Sequence, residues 1–173
     1  MKAAVLIEAG KPLQIEQINI ANPGPHEVLI RTAACGLCHS DLHFIEGTYP
    51  HPLPAIPGHE AAGIVEAVGS EVRTVKVGDA VVTCLSAFCG HCEYCLKAWE
   101  TVCGQAQFGG YTVNGGFAEY ILADPAYVAH IPAGLSALQA APIICAGVTT
   151  YKGIKETSVK PGEWIAISGA GGL

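Results

Sequence analysis

The chain has 173 residues, half of them hydrophobic and 14% charged, which suits one packed domain plus a piece of another and excludes a disordered chain. A net charge of −6 with no Lys/Arg cluster argues against nucleic acid or an anionic membrane as partner. No apolar run approaches the roughly 20 residues of a membrane span, and the stretch between Lys2 and Glu8 is too short for a signal peptide, so a cytoplasmic setting is expected.

The first part reads as short strands divided by Gly and Pro. Residues 2–7, 13–18 and 27–34 carry alternating or continuous apolar side chains, with a turn at Asn22-Pro-Gly-Pro25 before the third. Strands at 63–68 and 80–83 follow on either side of a tight turn, Lys76-Val-Gly-Asp79, and then come 116–122 and 127–130. Many short strands with no long helix between them predict a mainly β fold, a barrel or rolled sheet. After Pro132 the character changes. Ser136 can cap a short helix to Ala141, residues 147–157 support a longer one, Pro161-Gly162 breaks it, and 164–168 read as a buried strand. Gly169-Ala-Gly171-Gly-Leu173 then begins the pattern Gly-x-Gly-x-x-Gly. Its glycines permit a tight turn and close approach of the backbone to a pyrophosphate, so Gly169 and Gly171 are candidate cofactor contacts.

Eight cysteines carry the chemistry. Cys89, Cys92, Cys95 and Cys103 have the short gaps and single longer loop that let four thiolates meet one ion. Such a site is closed, and it reads as structural zinc, with disulfides as the alternative in an oxidising compartment. A second, open set is scattered: Cys38 in Cys-His-Ser-Asp-Leu-His, His59 in Pro-Gly-His-Glu, and Cys145 in Ile-Cys-Ala-Gly. Two cysteines and one histidine leave a fourth position for water or substrate, the arrangement of a catalytic zinc. Cys35-Gly-Leu-Cys38 also spells the redox motif Cys-x-x-Cys, but no early strand–helix–strand pattern surrounds it.

These motifs together resemble the zinc-dependent alcohol dehydrogenases of the medium-chain dehydrogenase/reductase superfamily, the yeast and bacterial tetrameric type above all. Gly58-His59-Glu60, Gly63, Gly69 and Val72 match that family's zinc signature, as do residues 35–43, residues 145–152 and the four-cysteine lobe. The resemblance implies a GroES-like barrel catalytic domain over residues 1–145 with a structural-zinc lobe at 84–104. Residues 146–173 would be the first helix and strand of a Rossmann α/β domain, which makes this the front half of a dehydrogenase, inactive alone.

The implied activity is reversible oxidation of an alcohol to an aldehyde or ketone by hydride transfer to NAD, with NADP as the alternative. Two zinc ions per chain are expected, together with a small-molecule alcohol or aldehyde substrate and a homo-oligomer at full length. By resemblance, Ser40 and His43 relay the proton through the cofactor ribose, and Asp41 holds the ring of His59. Glu60 approaches or ligates the metal in the resting state, and His39 meets the cofactor pyrophosphate. Tyr49 and Cys84 fall near positions that line the substrate pocket. Competing readings are a polyol or formaldehyde dehydrogenase of the same superfamily, and a non-catalytic zinc-binding fragment.

Overall fold

The computed structural model describes residues 1–169, so Gly171 lies outside the described residues. Its centre is an antiparallel sheet ordered β8-β3-β4-β5-β9. These strands are β3 (Val28–Gly36), β4 (Glu60–Val68), β5 (Ala80–Thr83), β8 (Tyr120–Ala123) and β9 (Val128–His130). A hairpin-like pair, β1 (Lys2–Val5) and β2 (Gln14–Gln17), and a small pair, β6 (Ser86–Ala87) and β7 (Gln107–Phe108), complete the strands. The longest pairing joins β3 to β4 along their length, with bulges between Leu29 and Ile30 and between Thr32 and Ala34. Alternation builds the core: Val28, Ile30, Val65 and Val81 are almost fully buried, and Ile121 packs with them.

The strand expected at 116–122 starts only at Tyr120. Residues 115–117 instead spend their amides on the carbonyls of Ile56, Gly58 and Pro57, which clasps the segment leading into His59. Conversely, β3 and β4 run further than their apolar patterns suggest and meet at Gly36 and Glu60.

Two helices matter for position. The first, α1 (His39–Glu46), was not anticipated from its sequence. It begins at Cys38 with a reciprocal cap in which Asp41 accepts the Cys38 amide, and ends at Gly47 in a left-handed conformation. A short α2 (Glu93–Leu96) sits in the cysteine lobe. Near the end, α3 (Ala137–Ala140) carries the expected Ser136 cap. With the following turn, Ala141–Ile144, it packs Ala140 and Ala141 against Ala62 and Val82, which delivers Cys145 to the end of the sheet.

The expected helix at 147–157 is present as α4 (Ala146–Thr157), but it buries no residue, and Val148, Tyr151 and Ile154 are exposed. The strand expected at 164–168 does not form. Trp164 is fully exposed, Ile165 and Ile167 are largely so, and no described strand offers a ladder partner, without which a parallel-type strand has nowhere to place its amides and carbonyls. Gly169 takes the positive φ of a turn, 75°.

Candidate metal centres

Three elements converge on the first centre. Cys38 is the N-cap of α1, two residues after β3; His59 immediately precedes β4 and Glu60 opens it; and Cys145 stands between the Ala141–Ile144 turn and α4. Donor atoms of all four lie within 4.8 Å of one another. The Sγ atoms of Cys38 and Cys145 are 3.7 Å apart. A tetrahedral zinc with Zn–S bonds of about 2.3 Å requires S···S edges of about 3.8 Å, so the thiols stand at metal spacing rather than at disulfide spacing.

One buried carboxylate organises the set. Asp41 Oδ1 lies 3.0 Å from His59 Nδ1 and accepts from the Gly58 amide at 3.2 Å, while Oδ2 accepts from the Cys38 amide at 2.9 Å. An Nδ1–H donated to Asp41 leaves Nε2 of His59 as the lone-pair nitrogen available to a cation. Burial alone would depress the His59 pKa, but the Asp41 carboxylate outweighs it and the net direction is upward. At Cys38 burial opposes ionisation, yet hydrogen bonds from the Ser40 amide and hydroxyl, His59 and Cys145 hold the thiol below its ordinary pKa. Burial, then the neighbouring Cys38, pushes Cys145 up to about 12, and burial also raises Glu60. A divalent cation would relieve this crowding of donors and displace their protons.

Beside the cluster lies a cleft of about 260 Å³, lined by Ser40, Phe44, Tyr49, Leu85, Phe108 and Tyr111 as well as by His59 and Cys145. Ser40 Oγ is 3.7 Å from Cys38 Sγ. Tyr49 lines the cleft; Cys84 is not among its walls but lines two neighbouring cavities together with Leu85, one of which also reaches His59. Cys84 is exposed, and its neighbour Leu85 also lines the cleft.

Phe44 and Tyr111 had no motif to mark them. Their rings stack at 4.5 Å and 12°, and the Tyr111 hydroxyl donates to the Pro50 carbonyl at 3.0 Å, closing the loop after α1 over the cleft. His43 lies outside the cleft wall, its ring 4.9 Å from His39 and 5.3 Å from Tyr49 in edge-on contacts. His39 is exposed at the start of α1.

The second centre is the lobe. Around Cys89, Cys95, Cys92 and Cys103 the successive S···S distances are 3.8, 3.5, 3.8 and 3.6 Å, again the edges of a zinc–thiolate tetrahedron. The amides of Cys92 and Cys95 point at the sulfurs of Cys89 and Cys92, 3.4 and 3.5 Å away, as amides do around thiolates. His91 is not in the set; its Nδ1 is 2.7 Å from the Cys89 carbonyl. The lobe is tied to the sheet at its base by β6–β7 and by the Tyr127 hydroxyl, which donates to the Phe88 carbonyl at 2.9 Å. Cys35 belongs to neither centre: it packs against the sheet core, where burial pushes its thiol up to about 12.

Comparison with known proteins places this geometry. The family model for the alcohol dehydrogenase GroES-like domain matches residues 24–133. An alcohol dehydrogenase from Moraxella sp. is 53% identical over an alignment that covers all of this chain and 52% of that protein. A crystal structure of an NAD-dependent alcohol dehydrogenase superposes with a TM-score of 0.89 at 33% identity, over 94% of this chain and 49% of the other. The cobalt- and zinc-bound thermostable alcohol dehydrogenase from Pyrobaculum aerophilum gives a TM-score of 0.88 at 32% identity, over 94% of this chain and 50% of that one. The chain spans about half the length of the curated relatives it matches.

Proposed function

The chain belongs to the alcohol dehydrogenase GroES-like domain family, and we propose that it is the metal- and substrate-holding half of a zinc-dependent alcohol dehydrogenase. The observation that carries the reading is the convergence of Cys38, His59 and Cys145 beside a cleft that Ser40 also lines. These three would hold one zinc, and Cys89, Cys92, Cys95 and Cys103 a second. When bound at the open set, zinc supplies a Lewis acid that makes an alcohol hydroxyl easier to deprotonate.

The rest falls to the chain itself. Ser40 would receive the hydroxyl proton at its Oγ, and His43, further along the same helix, would pass it to solvent. Asp41 keeps His59 in one tautomer and orientation. Phe44, Leu85, Phe108 and Tyr111 hold the alkyl group and keep water off the reacting carbon. His39 would meet the cofactor pyrophosphate, and the sequence pattern of Gly169 and Gly171 is the one that opens a dinucleotide-binding fingerprint. NAD is the acceptor we propose, in a cytoplasmic homo-oligomer, a compartment that keeps thiolates reduced.

The test is turnover of short primary and secondary alcohols with NAD and with NADP, by the full polypeptide that contains this sequence, alongside its zinc content. Oxidation with NAD and two zinc ions per chain is the expected result. A zinc-loaded protein that oxidises no alcohol with either cofactor would sink the proposal.

A further inference from the structure

Gly36 has a backbone that does not ask for glycine. It closes β3 without a positive φ, and it pairs across the ladder with Glu60. What it provides is space. A Cβ at residue 36 would fall 1.8 Å from Glu60 Oε2, 2.9 Å from its Cδ and 3.1 Å from its Cβ. The carboxylate of Glu60 therefore occupies the volume that any other side chain at 36 would claim. Glu60 is 3% exposed, so solvent offers it no other place to lie. From this seat a carboxylate oxygen stands within 4.8 Å of the donor atoms of Cys38, His59 and Cys145.

We propose that Gly36 is a positioning residue: its missing side chain is the seat of the Glu60 carboxylate, and the seat keeps that carboxylate within reach of the metal, where it competes for the fourth position that an incoming oxygen would take. The inference rests on the reading of Cys38, His59 and Cys145 as metal ligands. Gly36 itself touches no ligand sulfur or nitrogen at the centre. Its effect is steric and passes wholly through Glu60, which separates it from a glycine kept for a turn.

The experiment uses the full polypeptide with Co²⁺ exchanged into the Cys38–His59–Cys145 site and zinc left in the lobe. Visible spectra and imidazole titrations are recorded for the parent, Gly36→Ala, Glu60→Ala and the double variant. Gly36→Ala is expected to reproduce the Glu60→Ala spectrum, and both are expected to bind imidazole about tenfold more tightly than the parent, the size of effect that groups around a metal exert. In the double variant the added methyl is expected to change nothing further.

A Gly36→Ala protein with the parent's spectrum and imidazole affinity would overturn the inference while leaving the metal site in place. Failure of Cys38, His59 and Cys145 to take up Co²⁺ at all would instead remove the metal reading, and this inference with it. Should Gly36→Ala not fold, the double variant decides. Recovery of the fold upon truncating Glu60 supports the seat, and no recovery overturns it.

Discussion

Asp41 joins three parts of the first centre with one carboxylate: the Cys38 amide, the Gly58 amide and the His59 ring. Removing it leaves two buried donors unmet and lets the imidazole rotate. Asp41→Ala should therefore weaken zinc at the open site by about 10–100-fold, while the lobe keeps its metal; a competitive chelator titration that resolves two classes of zinc checks this. Ser40→Ala removes no ligand, only a hydroxyl 3.7 Å from Cys38 Sγ, so zinc content should stay near the parent's while turnover of the full enzyme falls by about 10²–10⁴. Undiminished turnover would remove Ser40 from the proton path. At this scale the ligand types were legible because thiol and imidazole chemistry at those spacings has few other uses. The cleft wall was not. Phe44 meets Tyr111 only because the chain folds back across their separation.

The elements divide into those held by apolar packing and those held by specific polar groups. The lobe belongs to the second kind: apart from Cys103 its residues between 89 and 104 are exposed or half-buried, and its helices are short. On the proposed zinc reading, four thiolates around the ion are its core. A chelator strong enough to empty the lobe should abolish ordered amide signals between residues 89 and 104 while the sheet strands keep theirs, as seen by amide hydrogen exchange.

The turn between β4 and β5 is a second polar fastening. Asp79 accepts from the Lys76 side chain at 2.7 Å and from its amide at 3.0 Å, and lies 3.0 Å from His130 Nε2 on β9. The Lys76 side chain first, then its amide and His130, hold the Asp79 pKa well below the ordinary carboxylate value. A depressed folded-state pKa contributes stability above the unfolded value of about 3.9 and loses it as pH falls further, through the folded value. Asp79→Asn should accordingly lower the melting temperature at pH 7, and the gap from the parent should narrow as pH drops below about 4. A gap independent of pH would show that charge at Asp79 is not what fastens the turn.

For the whole molecule, the proposed reading of two centres of different character predicts two zinc ions per chain with different accessibility, the open one lost first to a chelator. Produced as a separate 173-residue polypeptide, the chain should bind this zinc and yet oxidise no alcohol with NAD at rates near those of the complete enzyme. Hydride transfer needs nicotinamide held against the substrate carbon, and Trp164, Ile165 and Ile167 stand exposed where a packed cofactor domain would bury them.

The sequence by itself determined the β character, the four-thiolate lobe, the identities of Cys38, His59 and Cys145, and the Ser136 cap. Each depends on local pattern or on a residue type with narrow chemistry. Only the tertiary structure decided that α1 forms at all, because its cap relies on an Asp41 shared with His59 and Gly58. It alone decided that residues 164–168 do not form a strand, since a strand is a property of its partners. It alone also set Gly36 opposite Glu60, a steric relation between two residues 24 apart that no local pattern encodes.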